Sequence, residues 1–198
     1  SLINGFGADF IAGVNAGSKL DALPFLALNS FSAAVSTYAA QNVGAGRLDR
    51  VGRGVRAGIV LNCVVCIGLA LIFVPFGRPI MEVLFGLTPA ALDAGMAYIY
   101  RVMVPTFILG ISYTIGGALN GAGAAVVTTV SGIIALWVIR VPLAWWMAAH
   151  LGRDNMFLAY PIAWCASITM NGLYYLSGRW KRRDLLGRKN KDENRSGA

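Results

Sequence analysis

The chain carries apolar runs that are too long and too free of charge to be the core of a soluble domain. Ile59 to Phe76 reads IVLNCVVCIGLALIFVPF without one acidic or basic residue, about the length that crosses a hydrocarbon layer of roughly 30 Å. Val102 to Ala118 repeats the pattern, as do Met156 to Leu176 and the joined runs Val126–Ile139 and Val141–Ala149. Inside a bilayer the backbone has no water to bond, so runs of this length satisfy their amides by forming helices. Only 13 % of the residues are charged, about half of the ~25 % usual in soluble domains. The fold class that follows is all-α, a polytopic transmembrane helical bundle.

The formal charge of +8 is unevenly placed. Arg47, Arg50, Arg53 and Arg56 crowd one connector, and Arg179, Lys181, Arg182, Arg183, Arg188, Lys189, Lys191 and Arg195 crowd the tail. The breaks near 77–88 and 150–154 hold only Arg78 and Arg153. Basic residues collect on the cytoplasmic side of a membrane. That rule predicts a multi-pass protein of the cell's inner (plasma) membrane, with 43–56 and the C-terminal tail cytoplasmic. A basic tail also suits nucleic acid. Tyr174, Tyr175 and Trp180 at the membrane edge beside it favour topology, so the expected partner is the lipid bilayer and no nucleic acid.

The helices are expected at about 10–41, 57–76, 92–119, 124–149 and 156–178, with 179–198 as the basic tail. Pro24 should kink the first, and Pro75 with Gly77 should end the second. The amphipathic stretch 79–85 then reads as a short interfacial helix outside. Residues 1–9 read as the end of a span, and the chain starts at Ser1 without Met, so a fragment of a longer protein is expected.

Catalytic chemistry has little to stand on. The chain has one histidine, His150, and no nucleophile motif accompanies it. No convergent metal-ligand set is evident and no cofactor is implied, so an enzyme is not expected. Cys63 and Cys66 form a C-x-x-C inside an apolar span, where they and Cys165 read as small packing residues.

Polar groups within spans are more telling, because each is costly unless it faces protein or water. At roughly 100° per residue, Asn15, Ser18, Asp21, Asn29, Ser32 and Ser36 share one face of the first helix, with Lys19 at its margin. The stripe suits the wall of a hydrated cavity, although serines alone could simply bond neighbouring helices. A weaker face on the third helix carries Thr106, Gly110, Tyr113, Gly117 and Asn120. Substrate-cavity candidates are therefore Asn15, Lys19, Asp21, Asn29, Ser32, Ser36 and Tyr113. Arg140, mid-span beside Pro142, is expected to point into the protein, as an anchor or in transport.

Several motifs occur together. Ser36 to Arg50 reads STYAAQNVGAGRLDR, with Gln41, Gly44 and Gly46 before the basic residues; Asn4 to Ala12 reads NGFGADFIA. Tyr98-Ile-Tyr-Arg101 with Pro105 is followed by Gly117-Ala-Leu-Asn-Gly-Ala-Gly123, and Trp137 to Leu143 reads WVIRVPL. In this order they resemble the multidrug and toxic compound extrusion (MATE) family of antiporters, over nearly all of residues 1–178.

The resemblance implies two six-helix lobes around a cavity that opens alternately to each side. This chain would be the second lobe with its first helix truncated, its partner being the missing N-terminal lobe. It implies efflux of small organic or cationic drugs coupled to entry of a proton or sodium ion. It also implies that Gln41, Gly44 and Gly46 form a cytoplasmic anchor and hinge. Some members carry a coupling carboxylate on the helix matching 92–119. Here Val102 to Leu119 has no acid and Asp93 lies near the outer end, so that carboxylate is expected in the other lobe. Rival readings are a lipid-linked oligosaccharide flippase of the same superfamily, a membrane-embedded enzyme and a non-transporting scaffold.

Overall fold

In a computed structural model, residues 7–181 are described; the start of the Asn4 motif and nearly all of the basic tail lie outside them. Helix α1 spans Ala8–Gly44 and α2 spans Leu48–Phe85. Next, α3 (Pro89–Tyr98) passes through a wide π-type turn, Ile99–Met103, into α4 (Thr106–Gly121), with a 41° bend between them. Helix α5 (Ala125–Ile133) continues through a second π-type segment, Ile134–Arg140, into α6 (Val141–His150). A 3₁₀ turn, Arg153–Leu158, leads into α7 (Ala159–Leu176). The fold is an all-α bundle of long apolar helices.

Three of these units are long and apolar enough to cross a membrane, namely α2, α5 with α6, and the Arg153–Leu176 segment; the bent α3/α4 pair makes a fourth. Helix α1 is equally long, but its polar stripe keeps it out of that set. Along α1, Asp21, Leu28, Ser32 and Ser36 meet Thr106, Gly110, Gly117 and Gly121 in rising order, so α1 and α4 run parallel. Against α2 the order reverses, with Val35 near Gly58 and Lys19 near Phe85. Helices joined by short connectors therefore alternate in direction.

One end of the bundle gathers Val43 and Leu48, which flank the first connector, Ala122 and Ala124, which join α4 to α5, and Trp180. The basic connector and the start of the tail thus share an end. Both connectors close with the same turn. Gly46 (φ 75°) and Gly123 (φ 79°) adopt the left-handed region. The following amides, of Arg47 and Ala124, donate back to Asn42 O and Leu119 O at 2.8 Å each. This satisfies carbonyls that a helix end leaves open, and glycine takes the positive φ without strain. At the opposite end Thr88 caps α3, accepting from the Ala91 amide at 3.2 Å, with Pro89 in the first turn. Its hydroxyl also donates to Asp9 at 2.9 Å.

The reading of α2 at Pro75 needs correction. Helix α2 does not stop at Pro75 and Gly77, and no separate 79–85 helix follows. Pro75 and Pro79 sit one turn apart on the exposed face. On the other face Phe73, Gly77 and Met81 pack against Met96 and Ile99, which carries the helix past two missing donors. Pro24 lies within α1. The 92–119 helix, by contrast, is broken: Pro105, lacking an amide, follows the π-type turn where the 41° bend falls.

Candidate functional site

A cleft opens between α1, α4, α5 with its π-type continuation, and α7. Its apolar part, about 230 Å³, is walled by Phe25, Leu109, Tyr113, Leu136 and Trp164, with Arg140 at its edge. The adjoining polar part, about 350 Å³, is bordered by Asn29, Ser32, Asn120, Thr128 and Asn171. Ser112, Tyr113, Gly132 and Ser167 line both.

The polar wall is a chain of hydrogen bonds that ties three helices. Ser112 of α4 and Ser167 of α7 share a bond of 2.8 Å. The Asn171 amide donates to Ser167 at 3.4 Å, and its oxygen accepts from Ser131 of α5 at 2.7 Å. Asn120 accepts from Thr128. Polar pairs of this kind serve helix association and, where they border open space, also offer donors and acceptors to a ligand. Two aromatic rings of the lining, Phe25 and Tyr113, meet edge-on at 6.4 Å, and the Arg140 guanidinium lies 4.4 Å from the centre of the Tyr160 ring, which is not itself part of the lining.

The seven cavity candidates separate. Asn29, Ser32 and Tyr113 line the cleft. Ser36 does not: its backbone oxygen lies where a Cβ on Gly121 would stand, which places it in the α1–α4 seam. Ser32 belongs to both, since its hydroxyl donates to Tyr113 O at 2.9 Å. Asn15 is exposed and away from the cleft. Lys19 is exposed as well, with its ammonium 5.0 Å from the centre of the Phe85 ring near the end of α2. Asp21 is buried, 3 % exposed, and accepts from the Tyr98 hydroxyl at 3.2 Å. A shared helical face did not mean a shared environment, because α1 passes different neighbours along its length. Of the hinge candidates, Gln41 is exposed and Gly44 ends α1 ahead of the Gly46 turn. Arg140 reaches the cleft.

Ser112, Asn120, Thr128, Ser167 and Asn171 were not singled out as cavity residues, nor was Ser131, which is buried and supports Asn171. A signal existed in the i, i+4 pair Ser167/Asn171 and the i, i+3 pair Thr128/Ser131, which place polar groups one turn apart on single helix faces. Among the cysteines, Cys66 is buried, Cys63 is half-buried and Cys165 is exposed, so the packing role fits Cys66 best.

This cleft lies within a bundle whose sequence pattern matches that of the MatE family over residues 1–146. The chain belongs to the MatE family. The probable multidrug resistance protein YpnP of Bacillus subtilis (strain 168) is 30 % identical over 189 residues, covering 96 % of this chain and 42 % of that protein. The probable multidrug resistance protein NorM of Thermotoga maritima is 26 % identical over 184 residues, covering 92 % of this chain and 39 % of its own. The probable multidrug resistance protein YoeA of Bacillus subtilis (strain 168) is 24 % identical over 187 residues, with 93 % and 40 % covered. The MatE chain therefore spans about two fifths of the length of these relatives. It is a multi-pass membrane protein of a transport family.

Proposed function

We propose that this chain is one lobe of a secondary exporter that expels organic, cationic or amphipathic compounds by alternating access. A proton or sodium ion enters as the drug leaves. The observation that carries this reading is the cleft: one wall aromatic and apolar, the other a hydrogen-bonded polar network, inside a membrane bundle. Such a lining suits a greasy molecule with a polar head, since aromatic faces also attract organic cations. Partners are the lipid bilayer, the small organic substrate and a second lobe that closes the passage; nucleic acid is not among them. The 43–56 connector and the tail face the cytoplasm of the inner membrane. A flippase for lipid-linked sugars would need several cations to hold its phosphates. Among the described residues lining the cleft, Arg140 is the only one.

The test uses the complete protein in inverted vesicles. Imposing a proton or sodium gradient should drive accumulation of a fluorescent organic cation such as ethidium. Ser112→Phe, which fills the cleft, should abolish that accumulation at an unchanged membrane level. Unaltered transport by this variant refutes the cleft as the route.

A further inference from the structure

We propose that Asp21 is a proton-binding residue of this lobe, a carboxyl clasped across the break in the α3/α4 span. One oxygen accepts from Tyr98, the last residue of α3, at 3.2 Å; the other lies 3.5 Å from the Thr106 hydroxyl, in the first residue of α4. Between these two residues fall the π-type turn and the 41° bend. Between Tyr98 and Thr106 the span has no acid of its own, and α1 delivers one to its breaking point.

The hydrogen-bond inventory fits an exchangeable proton. Thr106 has one hydroxyl proton, and its better bond, 2.9 Å, runs to Val102 O. Toward Asp21 it therefore presents a lone pair, able to accept from a protonated carboxyl. Tyr98 donates to the other oxygen in either protonation state. In the carboxylate state Thr106 faces a second acceptor and must turn its proton from Val102, so the two states load the bend differently.

Asp21 forms no ion pair among the described residues. From α2 the facing titratable group is the buried, neutral Cys66 thiol. From α3 the facing group is Tyr98, and from α4 it is Thr106. Tyr98 in turn faces Tyr160 of α7. Its ring sits 6.5 Å from that of Tyr160, which carries the Arg140 guanidinium. An uncompensated charge within a membrane is costly, and intramembrane carboxylates mark ion pathways. A bare metal cation would need a full shell of oxygens. The side chains here supply one carboxyl and two hydroxyls, which suits a proton.

This inference deepens the exporter reading and rests on it only for its transport arm. The first arm is infrared spectroscopy on the complete protein in lipid. The difference between acidic and alkaline buffer should contain a carboxylic-acid carbonyl band that Asp21→Asn removes. Tyr98→Phe, a milder change, should move the pH midpoint of that band. A spectrum unchanged by both variants overturns the proposal. In the second arm, Asp21→Asn should slow pH-gradient-driven ethidium transport by about tenfold or more, within the range of site–site coupling. Ethidium exchange without a gradient should continue, and Asp21→Glu should recover part of the driven rate. Driven transport at the wild-type rate in Asp21→Asn, or transport that follows sodium alone, overturns it. If the band is present and wild-type protein moves no drug, the exporter reading fails and the proton site stands.

Discussion

Gly117→Ala tests whether close backbone approach, more than side-chain bonding, holds α1 against α4. A Cβ at Gly117 would stand 2.5 Å from Ser32 O and 2.9 Å from its hydroxyl. The first contact is about 0.9 Å inside ordinary van der Waals separation, and the obstructing atom is backbone that cannot swing aside. Relief requires the helices to part, an overpacking cost of typically ~1–3 kcal/mol. The Ser32 bond to Tyr113 O, at 2.9 Å, would be weakened with it, worth about 0.5–1.5 kcal/mol. Against this, alanine improves a helix interior by roughly 0.5–1 kcal/mol. The net expectation is a loss of about 1–3 kcal/mol, a few degrees of melting temperature at roughly 2–4 °C per kcal/mol. Gly68→Ala is the control, because nothing lies within 4 Å of its added Cβ; it should be neutral or slightly stabilising. The assay is thermal unfolding of the purified complete protein in detergent. A Gly117→Ala protein as stable as the Gly68→Ala control would refute the seam argument.

Three further outcomes are expected. Tyr113→Ala should reduce drug resistance in cells at an unchanged membrane level, and Lys19→Ala should not, because only Tyr113 reaches the cleft; equal effects would contradict that placement. Tyr160→Leu should reproduce the transport defect of Arg140→Gln, since each removes one half of a stacked pair with a 4.4 Å separation; a double variant no worse than either single is the check. Single cysteines introduced as Arg47→Cys and Gly152→Cys should be labelled by an impermeant thiol reagent from opposite sides of the membrane, and labelling from one side would break the alternation of helices.

The candidate site was only partly legible in the sequence. Asn29, Ser32 and Tyr113 were found because polar residues in an apolar span need a reason to be there. The same rule swept in Asn15, Lys19, Asp21 and Ser36, since angular position says which residues share a face and not what each level of that face meets. Ser112, Ser167 and Asn171 were passed over because each looks ordinary on its own helix. They become a wall only when α4, α5 and α7 converge. Pro75, Pro79 and Pro105 teach a similar lesson. Identical local chemistry left α2 continuous, where packing against Met96 and Ile99 bridged the gap, and accompanied a break beside α4.

The sequence by itself determined the membrane class, the number of long apolar runs and the family, because hydropathy and motif order act along the chain and need no partner. Tertiary structure alone decided which polar side chains meet open space and which are sealed away. It also decided that the one acid within α1's apolar course faces the bend between Tyr98 and Thr106. Those outcomes depend on distances between helices, and a helix's own periodicity carries no record of what its neighbours bring.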